Sequence, residues 1–361
     1  VIPYFSEDPS RQRLFSLASC RCHGLSYHIY GENGGWHRKD KQMKKIVFSH
    51  NIPKEYYQEY TQGLRVVTPE NSMESFSREE AERAIEDADI FICIGDYTCD
   101  QALIDKGNSL RIIGNMGSGY DNVEVAYAKK KGIRVLNAPR SVVDSTAEMT
   151  IGLMMSVCRG IVQYDRELRK DRVCTRQLFF HRDMVLNGKT LGVIGFGRIG
   201  QEVARKAYGL GMKIVFYQPV PAPDEAVRAC GAKAVGLDEL LETSDVVTIH
   251  IPYTKETRHY IDMEKLGHMK ETAYLINASR GAIVDERALV DALNNHKIKG
   301  AALDVHEFEP YISADIAELP NIVITPHCCT NIAEVRVSML HELLEGIMQL
   351  LEGKNAHNIV C

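Results

Sequence analysis

Short apolar runs rich in β-branched residues alternate along this chain with stretches whose apolar positions return every three or four residues. The runs at 46–49, 64–68, 90–94, 110–115 and 134–136 read as strands, and the stretches at 78–86, 101–106 and 123–131 read as helices. A long helical region over about 145–170 then leads to a second series. Its strands fall at 190–194, 213–217, 246–250, 273–277, 300–303 and 322–324. Strands separated by helices form parallel sheets covered on both faces, so the pattern predicts two α/β units in tandem. The first 42 residues fit neither period. They are polar and mixed, and order begins at Met43-Lys44-Lys45-Ile46-Val47-Phe48-Ser49. Residues 1–42 are therefore read as a poorly structured extension of uncertain origin, with a packed terminal arm as the alternative.

The densest local signal is Leu191-Gly192-Val193-Ile194-Gly195-Phe196-Gly197-Arg198-Ile199-Gly200, an apolar strand entering a Gly-x-Gly-x-x-Gly turn. Ile199, Val203, Ala204 and Ala207 follow at helical spacing, which supplies the strand–turn–helix setting of a dinucleotide site. In that setting Gly195 permits the tight turn, Gly197 lets backbone approach a pyrophosphate, and Gly200 lets helix and strand pack closely. At the end of the next strand, where NAD sites carry a carboxylate for the ribose, stands Gln218. An amide does not repel a 2′-phosphate, yet residues 220–224 hold no Arg or Lys to bind one. The expected cofactor is NAD, with NADP or dual use open.

Composition narrows the class. The 361 residues are 45% hydrophobic and 25% charged, enough for two ordinary cores. A net charge of −5 gives no general attraction to nucleic acid or anionic lipid. The apolar helix at 149–162 is short and interrupted by Arg159, so neither a membrane span nor a secretory leader is expected, and a cytoplasmic enzyme is. Ten cysteines are scattered through the chain, several in apolar patterns typical of reduced core thiols, so no disulfide framework is expected. Cys20-Arg21-Cys22-His23 lacks a visible fourth ligand and reads as chance clustering rather than zinc; no metal is expected.

Open α/β sheets bind ligands beyond the carboxyl ends of their strands. Three such ends carry unusual polar groups: Asn277-Ala278-Ser279-Arg280-Gly281, then Leu303-Asp304-Val305-His306-Glu307-Phe308-Glu309-Pro310, then Thr325-Pro326-His327. With the Gly-rich turn, with Gly117-Ser118-Gly119-Tyr120-Asp121-Asn122, and with His250-Ile251-Pro252-Tyr253-Thr254 and Thr257-Arg258-His259, they closely resemble the D-isomer-specific 2-hydroxyacid dehydrogenases from about residue 44 to the C-terminus. The resemblance implies two Rossmann/flavodoxin-like doubly wound domains, the cofactor domain inserted into the substrate domain. Its implied bounds are 43–140 for the first part of the substrate domain, 141–327 for the cofactor domain and 328–361 for the returning segment, with a helix at 338–351. It also implies a homodimer through the cofactor domains.

Reduction of a 2-oxo acid needs a cation for the carboxylate and an acid for the developing alkoxide. Arg280 suits the first need, since a guanidinium offers paired planar donors and keeps its charge. His327 suits the second, with Glu309 orienting it and favouring its imidazolium form. Family spacing, five residues beyond Asp304, selects Glu309 over Glu307. The resemblance further implies Arg198 and Ile199 N–H groups on the pyrophosphate, and His250, Pro252 and Thr257 along the cofactor. Ala278, Ser279 and Asp304 fall near the nicotinamide, while Ser118 and Gly119 receive the substrate carboxylate. Loops at 50–56 and 96–98, with Met116, would line the substrate's side-chain pocket, leaving the particular 2-oxo acid open. Cys328 and Cys329 depart from the small residues usual after the histidine. A cofactor-sensing corepressor on the same fold is the alternative reading.

Overall fold

The computed structural model describes residues 44–70, 75–95, 97–174 and 184–361; the Cys20–His23 cluster, Met43 and Asp96 lie outside them. Five strands, β1 (Lys45–Phe48), β2 (Arg65–Val67), β3 (Ile90–Ile94), β4 (Ile112–Met116) and β5 (Arg134–Leu136), form one sheet in the order β2-β1-β3-β4-β5. Every pairing is parallel, with Ile46 opposite Ile90 and Ile92 opposite Gly114. That is the flavodoxin-like order: β2 is added on one side of β1 and β3, β4 and β5 on the other, so the right-handed crossovers reverse direction once, after β2.

The second sheet holds β6 (Thr190–Ile194), β7 (Lys213–Tyr217), β8 (Lys233–Ala234), β9 (Val246–Ile249), β10 (Tyr274–Asn277), β11 (Gly300–Leu303) and β12 (Ile322–Ile324). Its order is β12-β11-β10-β9-β6-β7-β8, again parallel throughout. The direction of winding reverses between β6 and β9, opening a crevice at their carboxyl ends. Edge strand β8 was not anticipated, since two exposed residues carry no alternating pattern.

Helices α1 (Arg78–Ile85), α2 (Gln101–Lys106) and α3 (Val125–Lys130) belong to the first series. To the second belong α6 (Arg198–Gly209), α7 (Asp224–Cys230), α8 (Leu237–Thr243), α9 (Met263–His268), α10 (Glu286–Asn294) and α11 (Ala314–Ala317). Between the sheets the expected long helix is two. α4 (Val143–Cys158) ends at Arg159, and α5 (Ile161–Asp171) begins after Gly160 at φ +59°, a left-handed conformation that breaks helical hydrogen bonding. The last helix, α12 (Ala333–Leu351), starts five residues before the anticipated position and covers the first sheet. Leu340, Leu343, Leu344 and Ile347 share a core with Ile46, Phe48 and Ile112. Past it, Ile359 bridges Leu136 antiparallel, so the chain leaves the first sheet after β5, builds the second, and returns. The buried Glu342 carboxylate of α12 secures the exit, accepting from Ser141 N (2.9 Å) and Ser141 Oγ (2.6 Å). Burial pushes its pKa up, but these donors outweigh burial and hold it below the ordinary value. Among the described residues, no helix is long and apolar enough to cross a membrane.

Candidate active site

The Gly-rich turn lies at the crevice between β6 and β9. Gly195 has φ +91°, and a Cβ there would stand 2.5 Å from the carbonyl oxygen of His250, the first residue after β9. Gly200 packs onto the Gly195 carbonyl, while Gly197 caps α6 (Arg198–Gly209) with nothing within 4 Å of its Cβ position. The position beside Gly197, at the start of α6 with Arg198 and Ile199, is therefore open. A pyrophosphate fits this cradle, because first-turn N–H groups have no intrahelical acceptor and sit at the positive end of the helix dipole. Gln218, just past β7, accepts from Phe196 N at 3.1 Å, which fixes the turn and leaves both amide N–H donors for a ligand. His250 Nε2 lies 2.9 Å from Thr248 Oγ1, and burial drives its pKa down to about 3, so this ring is neutral at working pH. Thr257 Oγ1 donates to Pro252 O (2.8 Å) and accepts from Thr254 N (2.7 Å), closing the loop beyond β9.

Three neighbouring strands, β10, β11 and β12, carry the other candidates. Asn277 at the end of β10 is buried; its amide donates to Arg280 O (3.0 Å) and accepts from Ser279 N (3.1 Å) and Ser279 Oγ (2.7 Å). This knot places Ala278 in the core and starts the Arg280 side chain toward the cleft. Arg280 Nη1 donates to Ser279 O at 2.9 Å, and Nε donates to Asp121 Oδ1 of the first lobe at 2.9 Å.

His327, beyond β12, adopts φ +50°, uncommon for a residue with a Cβ, and its N–H donates to Asp304 O at 2.7 Å. Its Nδ1 stands 2.9 Å from Glu309 Oε2, and Glu309 Oε1 accepts from His306 N at 2.8 Å. Burial raises the Glu309 pKa, but the His327 and His306 contacts prevail and hold it below the ordinary carboxylate value. Glu307 is engaged elsewhere, accepting from Glu286 N (3.2 Å) and Arg258 Nη2 (3.2 Å) and lying 2.6 Å from His259 Nε2. His259, Asp285 and Glu307 bring ligand-type atoms within 4.8 Å of one another, and in this cluster Glu307 Oε1 already pairs with the Arg258 guanidinium at 3.2 Å. His306 is buried with Nε2 donating to Thr325 O at 3.0 Å, so geometry as well as spacing separates the Glu309–His327 pair from its neighbours.

Asp304 has no exposed surface. Its oxygens accept from Thr325 Oγ1 (2.6 Å), Cys328 N (2.9 Å) and Cys329 N (3.1 Å), so it braces the turn that carries His327. Burial raises its pKa, while the Cys329 thiol, Thr325 and both N–H groups bring the balance below the ordinary value. Burial pushes the Cys328 and Cys329 thiols up, which keeps both protonated and weakly nucleophilic.

Across the cleft, the loop after β4 presents Ser118 and Gly119. Asn137 Nδ2 donates to Ser118 O (2.8 Å) and Asn115 Nδ2 to Gly119 O (2.6 Å), and both amides are buried. In a planar trans peptide N–H opposes C=O, so drawing the Ser118 carbonyl toward Asn137 turns the Gly119 N–H the other way. The sequence alone assigns no role to Asn115, Asn137, Asn277 or Asp121. An amide at or next to the end of an otherwise apolar strand is the signal that marks the first three.

The family profile "D-isomer specific 2-hydroxyacid dehydrogenase, NAD binding domain" matches residues 151–329. A Staphylococcus aureus (strain MRSA252) protein provisionally named a 2-hydroxyacid dehydrogenase is 41% identical over 278 residues, 77% of this chain and 87% of that protein. A glyoxylate reductase from Paecilomyes thermophila superposes with a TM-score of 0.80 at 28% identity, covering 88% of this chain and 98% of the other. A D-lactate dehydrogenase from Aquifex aeolicus, solved with NAD and lactic acid, gives a TM-score of 0.77 at 29% identity over 88% of this chain and 99% of its own. With two parallel sheets in these orders and a glycine cradle at the switch point, the chain belongs to the D-isomer-specific 2-hydroxyacid dehydrogenase family, oxidoreductases with an NAD-binding domain.

Proposed function

We propose that this protein interconverts a small 2-oxo acid and its D-2-hydroxy acid with NAD, Arg280 binding carboxylate and carbonyl, and His327 moving the proton. The observation that carries the reading is the Glu309–His327 pair at 2.9 Å, beyond the ends of β11 and β12, with β11 adjacent to the strand that carries Arg280. Reduced nicotinamide supplies a hydride when bound. The chain supplies the rest. The guanidinium offers planar donors to the carboxylate and draws electron density from the carbonyl oxygen. Ionised Glu309 stabilises the imidazolium, which gives its proton to the developing alkoxide in reduction; in oxidation the neutral imidazole takes the hydroxyl proton. Ser118 and Gly119 N–H groups take part of the carboxylate charge, and residues 50–56 and 97–98, with Met116, border the substrate's side chain. The turn at 195–200, with Gln218, His250, Pro252, Thr257, Ala278 and Ser279, holds the cofactor, and Asp304 serves it by bracing the His327 turn.

Following NADH and NADPH absorbance against a panel that includes glyoxylate, pyruvate, hydroxypyruvate and aromatic 2-oxo acids tests the reading. Turnover of at least one, with D-configured product, is expected; tight NADH binding with no turnover would replace it by a cofactor-sensing role. For the cofactor, NAD is favoured because residues 220–224 provide no cation, and NADP is tolerated because Gln218 is uncharged. A like charge beside the 2′-phosphate costs several kcal/mol, so Gln218→Asp should cut NADPH use by roughly 100-fold and spare NADH. An unchanged NADH-to-NADPH ratio would remove Gln218 from the ribose site. Ile161, Tyr164 and Leu168 form an exposed apolar stripe on α5, which supports a homodimer through the cofactor lobe.

A further inference from the structure

Arg280 belongs to the second sheet's lobe, yet its nearest carboxylate is Asp121, 159 positions away in the loop after β4. The contact is specific in its atoms. Asp121 Oδ1 takes the Nε proton at 2.9 Å and Ser279 O takes one Nη1 proton at 2.9 Å, while Nη2 lies against the Cα of Gly119. A guanidinium has five N–H donors, so this arrangement uses the inner donors and leaves donors on Nη1 and Nη2 for a ligand beside Gly119. The space is built for the side chain: a Cβ on Gly119 would collide with Nη2 and lie 2.8 Å from Cζ. Asp121 itself is held by its neighbours. Asn122 donates to Tyr97 O (3.0 Å) and Asn115 Oδ1 (2.9 Å), and Val123 N donates to Tyr120 O (3.0 Å).

We infer that Asp121 is a positioning residue for the reaction: it fixes the rotation of the Arg280 guanidinium and ties that cation to the lobe that presents Ser118 and Gly119. Both halves of the carboxylate site then assemble through one ion pair across the cleft. The inference rests on Arg280 being the substrate's cation, as proposed above.

Kinetics of four proteins test it: wild type, Asp121→Ala, Arg280→Lys and the double variant. A lysine has no side donor to replace Nε. Misplacing a reacting group by about 1 Å costs about 100-fold, so Asp121→Ala should lower kcat/KM for the 2-oxo acid by roughly 10- to 100-fold. NADH affinity by fluorescence and the melting temperature should stay near wild type. In the Arg280→Lys background, removing Asp121 should change nothing further. Asp121→Asn, which keeps an acceptor oxygen for Nε, should recover most of the rate. Gly119→Ala, which displaces the guanidinium, should reproduce the Asp121→Ala loss with the fold intact. Equal losses in both backgrounds would mean a purely structural role and overturn the inference, as would wild-type kinetics for Asp121→Ala. Wild-type kinetics for Arg280→Lys would instead overturn the assignment of Arg280, a separate corner of the same square.

Discussion

Gly281→Ala is expected to abolish measurable turnover and to lower the melting temperature more than any other single methyl added near the site. Gly281 directly follows Arg280, and a Cβ there would collide with the carbonyl group of His306 and with Glu307 N. These are backbone atoms, which no rotamer change can move. Relief requires the Arg280 segment and the 304–310 loop to separate, and those carry the proposed cation and the proposed orienting carboxylate. Overpacking a well-filled site costs about 1–3 kcal/mol, and a clash with main chain belongs at or above the top of that range. The kinetic loss should exceed the roughly 100-fold expected for a misplacement of 1 Å. Thermal melting and kcat/KM on one preparation check both parts. Normal melting with normal turnover would show that the two segments do not pack as described.

The second large effect concerns the proton. His327→Gln should reduce kcat/KM by about 10²–10⁴ in both directions, the range for loss of a general acid–base group, with NADH affinity retained. Glu309→Gln should act differently. Its carboxylate favours the imidazolium. Reduction needs the protonated ring, so without Glu309 the alkaline fall in reductive kcat/KM should move to lower pH. Because Glu309 itself is held below the ordinary carboxylate value, its charge persists as pH falls through the ordinary carboxylate range, and the wild-type profile should show no loss of pairing near neutrality. A Glu309→Gln profile that only falls in height, without moving along the pH axis, would mean that the carboxylate does not act through the imidazole.

Much of this architecture was legible because its signals are local. Buried parallel strands need apolar residues on both faces, so β3 appears as the unbroken run Ile90–Ile94, and β9 as Val246–Ile249 interrupted only by Thr248. The nucleotide turn was legible because Gly195, Gly197 and Gly200 answer to backbone geometry within six residues. Arg280, Glu309 and His327 stood out as polar groups at strand ends, and family spacing chose among them.

The alternation of elements, the strand ends where ligands gather, and the short list of groups able to handle a carboxylate, a hydride donor and a proton follow from local residue chemistry alone. Whatever depends on partners far along the chain follows only from the folded arrangement. Gly160 breaks the bridging helix because its conformation is left-handed, which spacing alone does not reveal. Glu307 is consumed by Arg258, His259 and Glu286, whereas Glu309 meets His327, and the two carboxylates differ by nothing but their surroundings. Asp304, a candidate cofactor contact by position, is enclosed by the turn at 325–329 because that turn's N–H and hydroxyl groups need its oxygens once they leave water. Asp121 reaches Arg280 across 159 positions, a contact that exists only because two separately wound sheets face one another. Local sequence carries backbone geometry and side-chain chemistry, while hydrogen-bond partners and burial belong to the fold as a whole.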